Sequence, residues 1–559
     1  MINKIESGNV NSIKKTPRYY SLNNQSSKSN TAFTGLFSSI GNAVLYSVQK
    51  CEQNPMLNVT CLDMTTAIVP RTFSETVIGS KQKDKAGNDT KKRKYNFIGG
   101  FEAFRREFSG LFINCLIPSF IVIGAAKLLN RPIMGNFKKS NLTTSWANSD
   151  TIDKIQKYYT QANATEPKAK IMETLKTMIN DIEGVNGDVA KDGLKKFSEI
   201  FANDKELDSL IEETAEKLTQ DNKKSSFKRL YNYLVKKSGI AENIKFKDDK
   251  GYFSSSLEHL CSSTEEILQG IQKESKNLNS PNELNHYFSK AKKLVNGKSI
   301  LGLGLIIPLA ILAQPINRWI THKISGKKGA PIYNDDEERI LTPAEKRKLL
   351  AEKFIAVPAM AGVAALSMLL DKPSLKMFQF KGLFPTMDQA RIISATTFSS
   401  RIASAEDSNE LTENTIRDIA TFSSFYFLGD YAAKGIATII EKYNKFGIKL
   451  LNKLQLLDKN TNIAQKIWHW AKHTKMKSSD ELSSITDRSL RIKAKNLRAL
   501  CQVGNFMFSL LSLGLFIPLY TRTQTNKKKN KQELESSPNL TFASLTPDKA
   551  PSFKAFLEK

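Results

Sequence analysis

The sequence predicts an all-α helical membrane protein with about four or five apolar segments and a soluble helical-bundle insertion after the first. Three observations carry this reading. Ala499 to Thr521 has no charged residue, is bracketed by Arg498 and Arg522, and is long enough to cross a ~30 Å hydrocarbon layer. Shorter apolar runs recur at Phe108 to Ala126, Ser299 to Asn317 and Phe354 to Leu370. Between the first two lies a polar stretch with apolar stripes at helical spacing.

Composition sets the frame. The chain has 559 residues, 40% of them hydrophobic, and a mean hydropathy of −0.35. That soluble-looking average hides segregation of long apolar runs in a Lys-, Asn- and Ser-rich background. The net charge of +28 favours anionic partners. No nucleic-acid-binding motif accompanies it, so the expected partner is a lipid bilayer with anionic headgroups, with a protein partner through the soluble insertion, and not nucleic acid. The five cysteines are widely spaced and form no CxxC; Cys51 and Cys61 could pair, but no disulfide framework is indicated. The first residues lack an apolar core, so no cleavable signal peptide is expected.

Taken in order, residues 1–107 form a basic, partly disordered N-terminal region. Thr31 to Gln49 is uncharged but diluted by Ser, Thr, Asn and Gly, and reads as an interfacial or core helix rather than a span. Met56 to Val69 is a semi-apolar piece ended by Pro70-Arg71, and Lys81 to Lys94 is a basic linker. Residues 108–130 hold the first membrane segment, Phe108 to Ala126, 19 uncharged residues with Asn114 and Pro118 inside.

Residues 131–298 form the soluble insertion. Ile171, Leu175, Met178, Ile179 and Ile182 make one stripe, closed by Gly184 as the C′ residue. Leu207, Leu210, Ile211, Ala215 and Leu218 make a second. Phe227, Leu230, Tyr231, Leu234 and Val235 precede Gly239, and Leu284, Tyr287, Phe288, Ala291 and Leu294 precede Gly297. No strand pattern competes.

Residues 299–526 form a helical membrane region with basic loops. Thr342-Pro343-Ala344-Glu345 is a capping box with proline at N1. It opens a helix leading into Phe354 to Leu370, 17 uncharged residues at the short end for a span. Lys372 to Asn409 reads as loop. Thr412 to Ile440 reads as helix, capped by Thr412 or Asn414. Lys442 to Arg498 carries 14 Lys or Arg against 4 Asp or Glu. Residues 527–559 are a polar, disordered tail. Lys and Arg flank most apolar runs on both sides, so the positive-inside rule assigns no orientation.

Motifs for chemistry are sparse. His469 and His473 are four apart, but a third ligand and an adjacent Glu are missing, and their Trp and Lys neighbours suit a membrane-interface helix. Asp181 to Asp188 resembles a calcium loop only superficially; position 6 is Asn186 and position 12 is Asp192. There is no Walker A loop, GxGxxG, GxSxG or Ser/His/Asp arrangement, so no catalytic activity, cofactor or metal is expected. The words Leu303-Gly304-Leu305 through Leu309 and Leu513-Gly514-Leu515 through Leu519 match as LGLxIPL, a weak hint of a repeat. One candidate site stands out: Asp430 and Lys434, i and i+4 on one helix, interrupt an apolar stretch as a polar pair inside the membrane region. The expected function is a non-enzymatic membrane scaffold or transport-related component; the alternative is a peripheral basic helical protein on anionic membrane surfaces.

Overall fold

In the computed structural model the described residues are 55–78, 81–83, 89–93, 95, 97–129, 149–220, 227–249, 255–274, 280–325, 341–369, 378–380, 386–455 and 461–517, with isolated positions 47, 519, 520 and 523. The expectations for residues 1–46 and 524–559, the disordered ends and most of the interfacial helix, lie outside them. The described chain is predominantly helical.

It opens with α1 (Pro55–Leu62), a π-helical segment (Asp63–Ile68) and α2 (Val69–Ile78). Pro70 does not end this helix, contrary to expectation. The Val69 N–H reaches back five residues to the Met64 carbonyl, so the wider π turn carries the chain over the proline. Nor is Lys81 to Lys94 a plain linker. It holds β1 (Lys81–Lys83) and β2 (Asp89–Arg93), paired antiparallel with Lys81 opposite Arg93 and Lys83 opposite Asp89. Then come α3 (Phe97–Leu111), a π segment (Phe112–Leu116) and α4 (Ile117–Leu129).

The stretch expected to be a soluble insertion forms a helical head around one buried apolar cluster. It comprises α5 (Ser149–Gln161), α6 (Pro167–Asn180), the short α7 (Val189–Asp192) and α8 (Phe197–Ile200), α9 (Lys205–Thr219), α10 (Phe227–Ser238) and α11 (Leu257–Glu274). The stripes read from sequence are its core: Ile171, Leu175, Ile211, Leu234 and Phe288 are all buried in one cluster. Gly239 closes α10 with a left-handed φ of 68°, which favours glycine. Two details differ from expectation. Strands do occur: β3 (Ile182–Gly184) pairs antiparallel with both β4 (Lys195–Lys196) and β5 (Ile244–Phe246). Gly184 is therefore a strand residue, and α6 ends at Asp181, whose N–H bonds back to the last turn.

The largest departure is α12 (Pro281–Ser325). It runs without a break from the head core into the apolar run, so Gly297 does not end a helix. A glycine in the middle of a helix costs only ~1 kcal/mol, and packing on both sides outweighs that. The helix α13 (Pro343–Leu369) starts at the expected capping box: the Thr342 N–H donates to Glu345 Oε2 at 2.9 Å, and the Glu345 N–H to Thr342 Oγ1 at 3.3 Å.

Lys372 to Asn409 is not all loop. It contains α14 (Met387–Ala403), capped by Thr386 and Gln389 in a second capping box. Next, α15 (Ser408–Ser423) starts earlier than expected, because Asp407 is its N-cap, accepting from the Asn409 and Glu410 N–H groups. A π segment (Ser424–Leu428) joins it to α16 (Gly429–Tyr443). The basic stretch forms β6 (Leu451–Lys453), α17 (Ile463–His473), β7 (Thr474–Met476), paired antiparallel with β6, and α18 (Ser479–Ser483). The last long helix is α19 (Arg488–Ser509), continued by π-helical Leu510–Phe516. The two LGLxIPL words therefore differ in form, the first α-helical and the second largely π-helical. Helices α16 and α19 approach closely at Gly504, where an added Cβ would lie 2.0 Å from Ile436.

Among the described residues, three helices are long and apolar enough to cross a membrane: Pro281–Ile324, Pro343–Met368 and Arg488–Phe516. This is fewer than the four or five expected. The Phe108 to Ala126 run is helical throughout, as α3, a π segment and α4, and is not one of the three. Thr412 to Ile440 carries the buried charges Asp418 and Lys434. Among the described cysteines Cys261 and Cys501 are free thiols; Cys51, and with it the Cys51–Cys61 pairing, lies outside the described residues.

Candidate functional site: a charged layer in the apolar bundle

The structural feature richest in chemistry is one the sequence did not single out. Five helices bring arginines and carboxylates together among the apolar segments. Helix α14 supplies Arg401 and α15 supplies Asp418. Arg401 Nε donates to Asp418 Oδ2 at 2.7 Å, and Nη2 pairs with the other oxygen of the same carboxylate. This is the two-point geometry that suits a planar guanidinium. Arg401 Nη1 also reaches Glu107 of α3, at 3.3 Å. Glu107 in turn pairs with Arg71 of α2. Arg417 lies 3.3 Å from Asp418 and donates to Asn414 Oδ1 at 2.9 Å. Asp418 is fully buried.

A second set lies alongside, organised by α12. Arg318 pairs with Glu406 at 3.0 Å and with Glu410. Arg105 donates to Glu102 at 2.6 Å, to Thr321 Oγ1 at 2.8 Å and to Asn317 Oδ1 at 3.1 Å. Asn317 Nδ2 donates to Ser109 Oγ at 2.7 Å. Ser400 Oγ donates to the Ile311 carbonyl, tying α14 to α12 two turns away from Arg318. Charges removed from water are tolerable only when paired and hydrogen-bonded; each of these named charges has an ion-pair partner here, although Arg318 Nη1 lacks a well-aligned hydrogen bond. The arrangement can hold five helices in register.

The apolar surface extends past this layer along α12. Ile300 (75% exposed), Leu305 and Ile311 lie on one side of Arg318; Trp319 (61%) and Ile324 (68%) lie on the other. Phe354 and Ile355 of α13 are each 73% exposed. Exposed apolar surface on this scale marks an interaction site or a membrane-facing wall.

The pair chosen from sequence forms, but unevenly. Lys434 Nζ lies 3.0 Å from Asp430 Oδ2, with the lysine side chain 3% exposed and the aspartate 54%. The ammonium also donates to the Ala471 carbonyl at 3.3 Å and sits 4.7 Å from the Tyr431 ring centre. Lys434 is thus held by the segment that carries α17, and Asp430 faces outward. His469 and His473 stack with ring centres 4.8 Å apart, and no group of three metal-ligating side chains occurs among the described residues. Helix α17 buries none of its residues; Ile463, Ile467 and Trp468 are exposed beside Lys466 and Lys472. This is the make-up of a helix lying in a membrane interface.

The head docks on the same basic segment. The Gly187 N–H donates to Asn452 Oδ1 at 2.9 Å, Lys477 Nζ to Asn186 Oδ1 at 2.6 Å, and the Tyr231 hydroxyl to Asp480 Oδ2 at 2.7 Å. Glu481 sits inside this contact and accepts from the Ala241 and Glu242 N–H groups, each at 3.3 Å, and from Ser478 N–H at 2.8 Å. Burial pushes the Glu481 carboxyl up to about 7, against the pull of those N–H groups and of Lys477. Burial, then the nearby carboxylates of Glu481, Glu258 and Asp480, push Glu242 up to about 7 as well.

Compared with known proteins, the chain matches no family model, no curated protein and no solved structure.

Proposed function

We propose that this chain is a non-enzymatic multi-pass membrane scaffold that holds a helical head at the surface of an anionic bilayer. The observation that carries the reading is the belt of exposed apolar side chains on α12, α13 and α19. Leu511 and Leu515 continue it on the last of these. A water-soluble fold would leave this surface uncovered, whereas hydrocarbon covers it at no cost. The charge of +28 and the exposed basic face of α17 favour an anionic leaflet. A scaffold is favoured over a transport component by the charged layer, whose named arginines and carboxylates are engaged with one another.

Alkaline carbonate extraction of membranes from cells expressing the full chain tests this. The protein should stay in the pellet and leave it only with detergent. Release into the supernatant would assign it instead to the peripheral, surface-bound class.

A further inference from the structure

Arg106 stands apart from the rest of the charged layer. It lies on α3 between Arg105 and Glu107, and both neighbours are engaged. Arg105 holds Glu102 and, on α12, Thr321 and Asn317; Glu107 holds Arg71 and Arg401. The Arg106 guanidinium makes no ion pair and no hydrogen bond among the described residues. The cations that face it are Arg318 of α12 and Arg71 of α2. The carboxylates that face it are Glu410, Glu107 and Glu102.

Each of these carboxylates is already committed. Glu102 gives its two oxygens to Arg105, at 2.6 and 3.0 Å. Glu107 is shared by Arg71 and Arg401. Glu410 pairs with Arg318 through one oxygen and accepts the Glu406 N–H at 2.8 Å through the other. Arg318 has a donor to spare, since its buried Nη1 lacks a well-aligned hydrogen bond although Glu406 lies 3.0 Å away. Arg106 is therefore a cation without a counter-ion beside two other arginines, an arrangement that costs stability until an anion joins it.

The place of Arg106 in the fold says what the anion is. Arg106 lies two residues before the Phe108 to Ala126 run, Arg318 directly follows Ser299 to Asn317, and Lys353 directly precedes Phe354 to Leu370. Arg105 bonds to Asn317, and Val122 lies beside Gly302, so α3 and α4 run antiparallel to α12. Lys353 of α13 in turn faces Arg318. Three apolar runs thus start or stop at one level, the rim of the exposed belt on the side away from the head. In a bilayer that rim is where the phosphates lie. Arg106 is only partly buried and can be reached there. A phosphate suits a planar guanidinium through two parallel N–H···O bonds and keeps a further oxygen for a second arginine.

We infer that Arg106, backed by Arg318 and Arg71, binds a phosphate group. The site itself stands on the ion pairs around it. Its reading as the headgroup of an anionic phospholipid rests on the membrane proposal above.

The test compares the full-length protein with its Arg106→Gln variant in a neutral detergent. Native mass spectrometry reads the first molecule bound when phosphatidylglycerol, diacylglycerol or inorganic phosphate is added. The wild type should bind its first phosphatidylglycerol about tenfold more tightly than the variant, equivalent to ~1.4 kcal/mol. That is the lower end of what a hydrogen bond to a charged group contributes. Diacylglycerol, which lacks phosphate, should not distinguish the two proteins. Lys466→Gln with Lys472→Gln, on the exposed α17, should leave phosphatidylglycerol binding unchanged. Without lipid, Arg106→Gln should melt at or above the wild type, because it removes a repulsion and breaks no bond. A difference seen with inorganic phosphate and not with phosphatidylglycerol supports the phosphate site and overturns the lipid as its source. Equal binding of both probes by the two proteins, or a lipid-free variant that melts well below the wild type, overturns the site. Carbonate extraction of the variant is independent of these readouts: retention in the pellet leaves the membrane reading standing even if the site fails.

Discussion

Arg401 and Asp418, 17 residues apart, meet in a two-point contact whose carboxylate is fully buried. Removing one partner leaves the other charge in a low-dielectric site, which typically costs ~3–5 kcal/mol, whereas replacing both by apolar groups is often near neutral. Asp418→Ala should therefore strongly destabilise the bundle, and Arg401→Met with Asp418→Leu should recover part of the loss, the remainder belonging to Arg417, which also loses Asp418 as a partner. Unfolding in mixed micelles with increasing sodium dodecyl sulfate measures both. Near-wild-type stability of the single variant would mean that the layer is hydrated and does not lock the helices.

The pair Asp430 and Lys434 should behave differently. Asp430 is half exposed, and exposed ion pairs contribute ~0–1 kcal/mol. Asp430→Ala should cost about that much, because Lys434 keeps the Ala471 carbonyl and the Tyr431 face. Lys434→Ala should cost more than Lys434→Met, since the buried stem packs as an apolar chain. Thermal melts of the three variants in detergent decide this; an Asp430→Ala loss as large as that of Asp418→Ala would place the pair in the bundle interior.

The contact between the head and the basic segment should weaken as pH rises. Glu481 and Glu242 hold their protons up to about pH 7 in the folded protein. The unfolded chain releases them near 4.5, so the native state binds more protons in between. Stability is then fully present below about 4.5 and falls as pH rises toward about 7. Melting temperatures should be higher at pH 5 than at pH 8. Glu481→Gln, which keeps an acceptor for the Ala241 and Glu242 N–H groups, should flatten the difference. An unchanged slope in that variant would assign the dependence to other groups.

Leu511 lies in the last apolar helix and is 44% exposed. Leu511→Arg should raise the insertion free energy by ~2.5–3.5 kcal/mol, read as the fraction of chains inserted in a glycosylation-reporter assay. Normal insertion of the variant would exclude Ala499 to Thr521 as a span.

The apolar stripes and runs were legible in the sequence because they obey one period over many residues: Leu207 through Leu218 and the box at Thr342 fall where the pattern puts them. Helix α14 was not legible by the same signal. Its buried residues mix Gln389, Arg391, Ser394, Thr397 and Ser400 with Ala390, Ile393, Ala395 and Ile402, and the polar members dilute the hydropathy signal to that of a loop. Only the Thr386–Gln389 capping box announced it. The sheet of the head escaped for another reason. Ile182 pairs with Phe246, far along the chain, in strands of two or three residues that carry no periodicity. The charged layer is the extreme case. Glu107, Arg401 and Asp418 each look like an ordinary solvated charge until three helices are set side by side.

A final consequence follows from α12. A single helix of 45 residues is about 67 Å long, and the two prolines within it, Pro308 and Pro315, both lie beyond the head. The head core grips its first turns and the apolar belt its last, with no swivel between them. Such a rod acts as a lever. Membrane helices tilt to match the thickness of the bilayer around them, and a tilt of ~10° swings the far end of this rod sideways by about 12 Å. On the proposed membrane reading, the head would be coupled mechanically to the lipid: where it points, and what it can reach, would be set by how thick the surrounding membrane is.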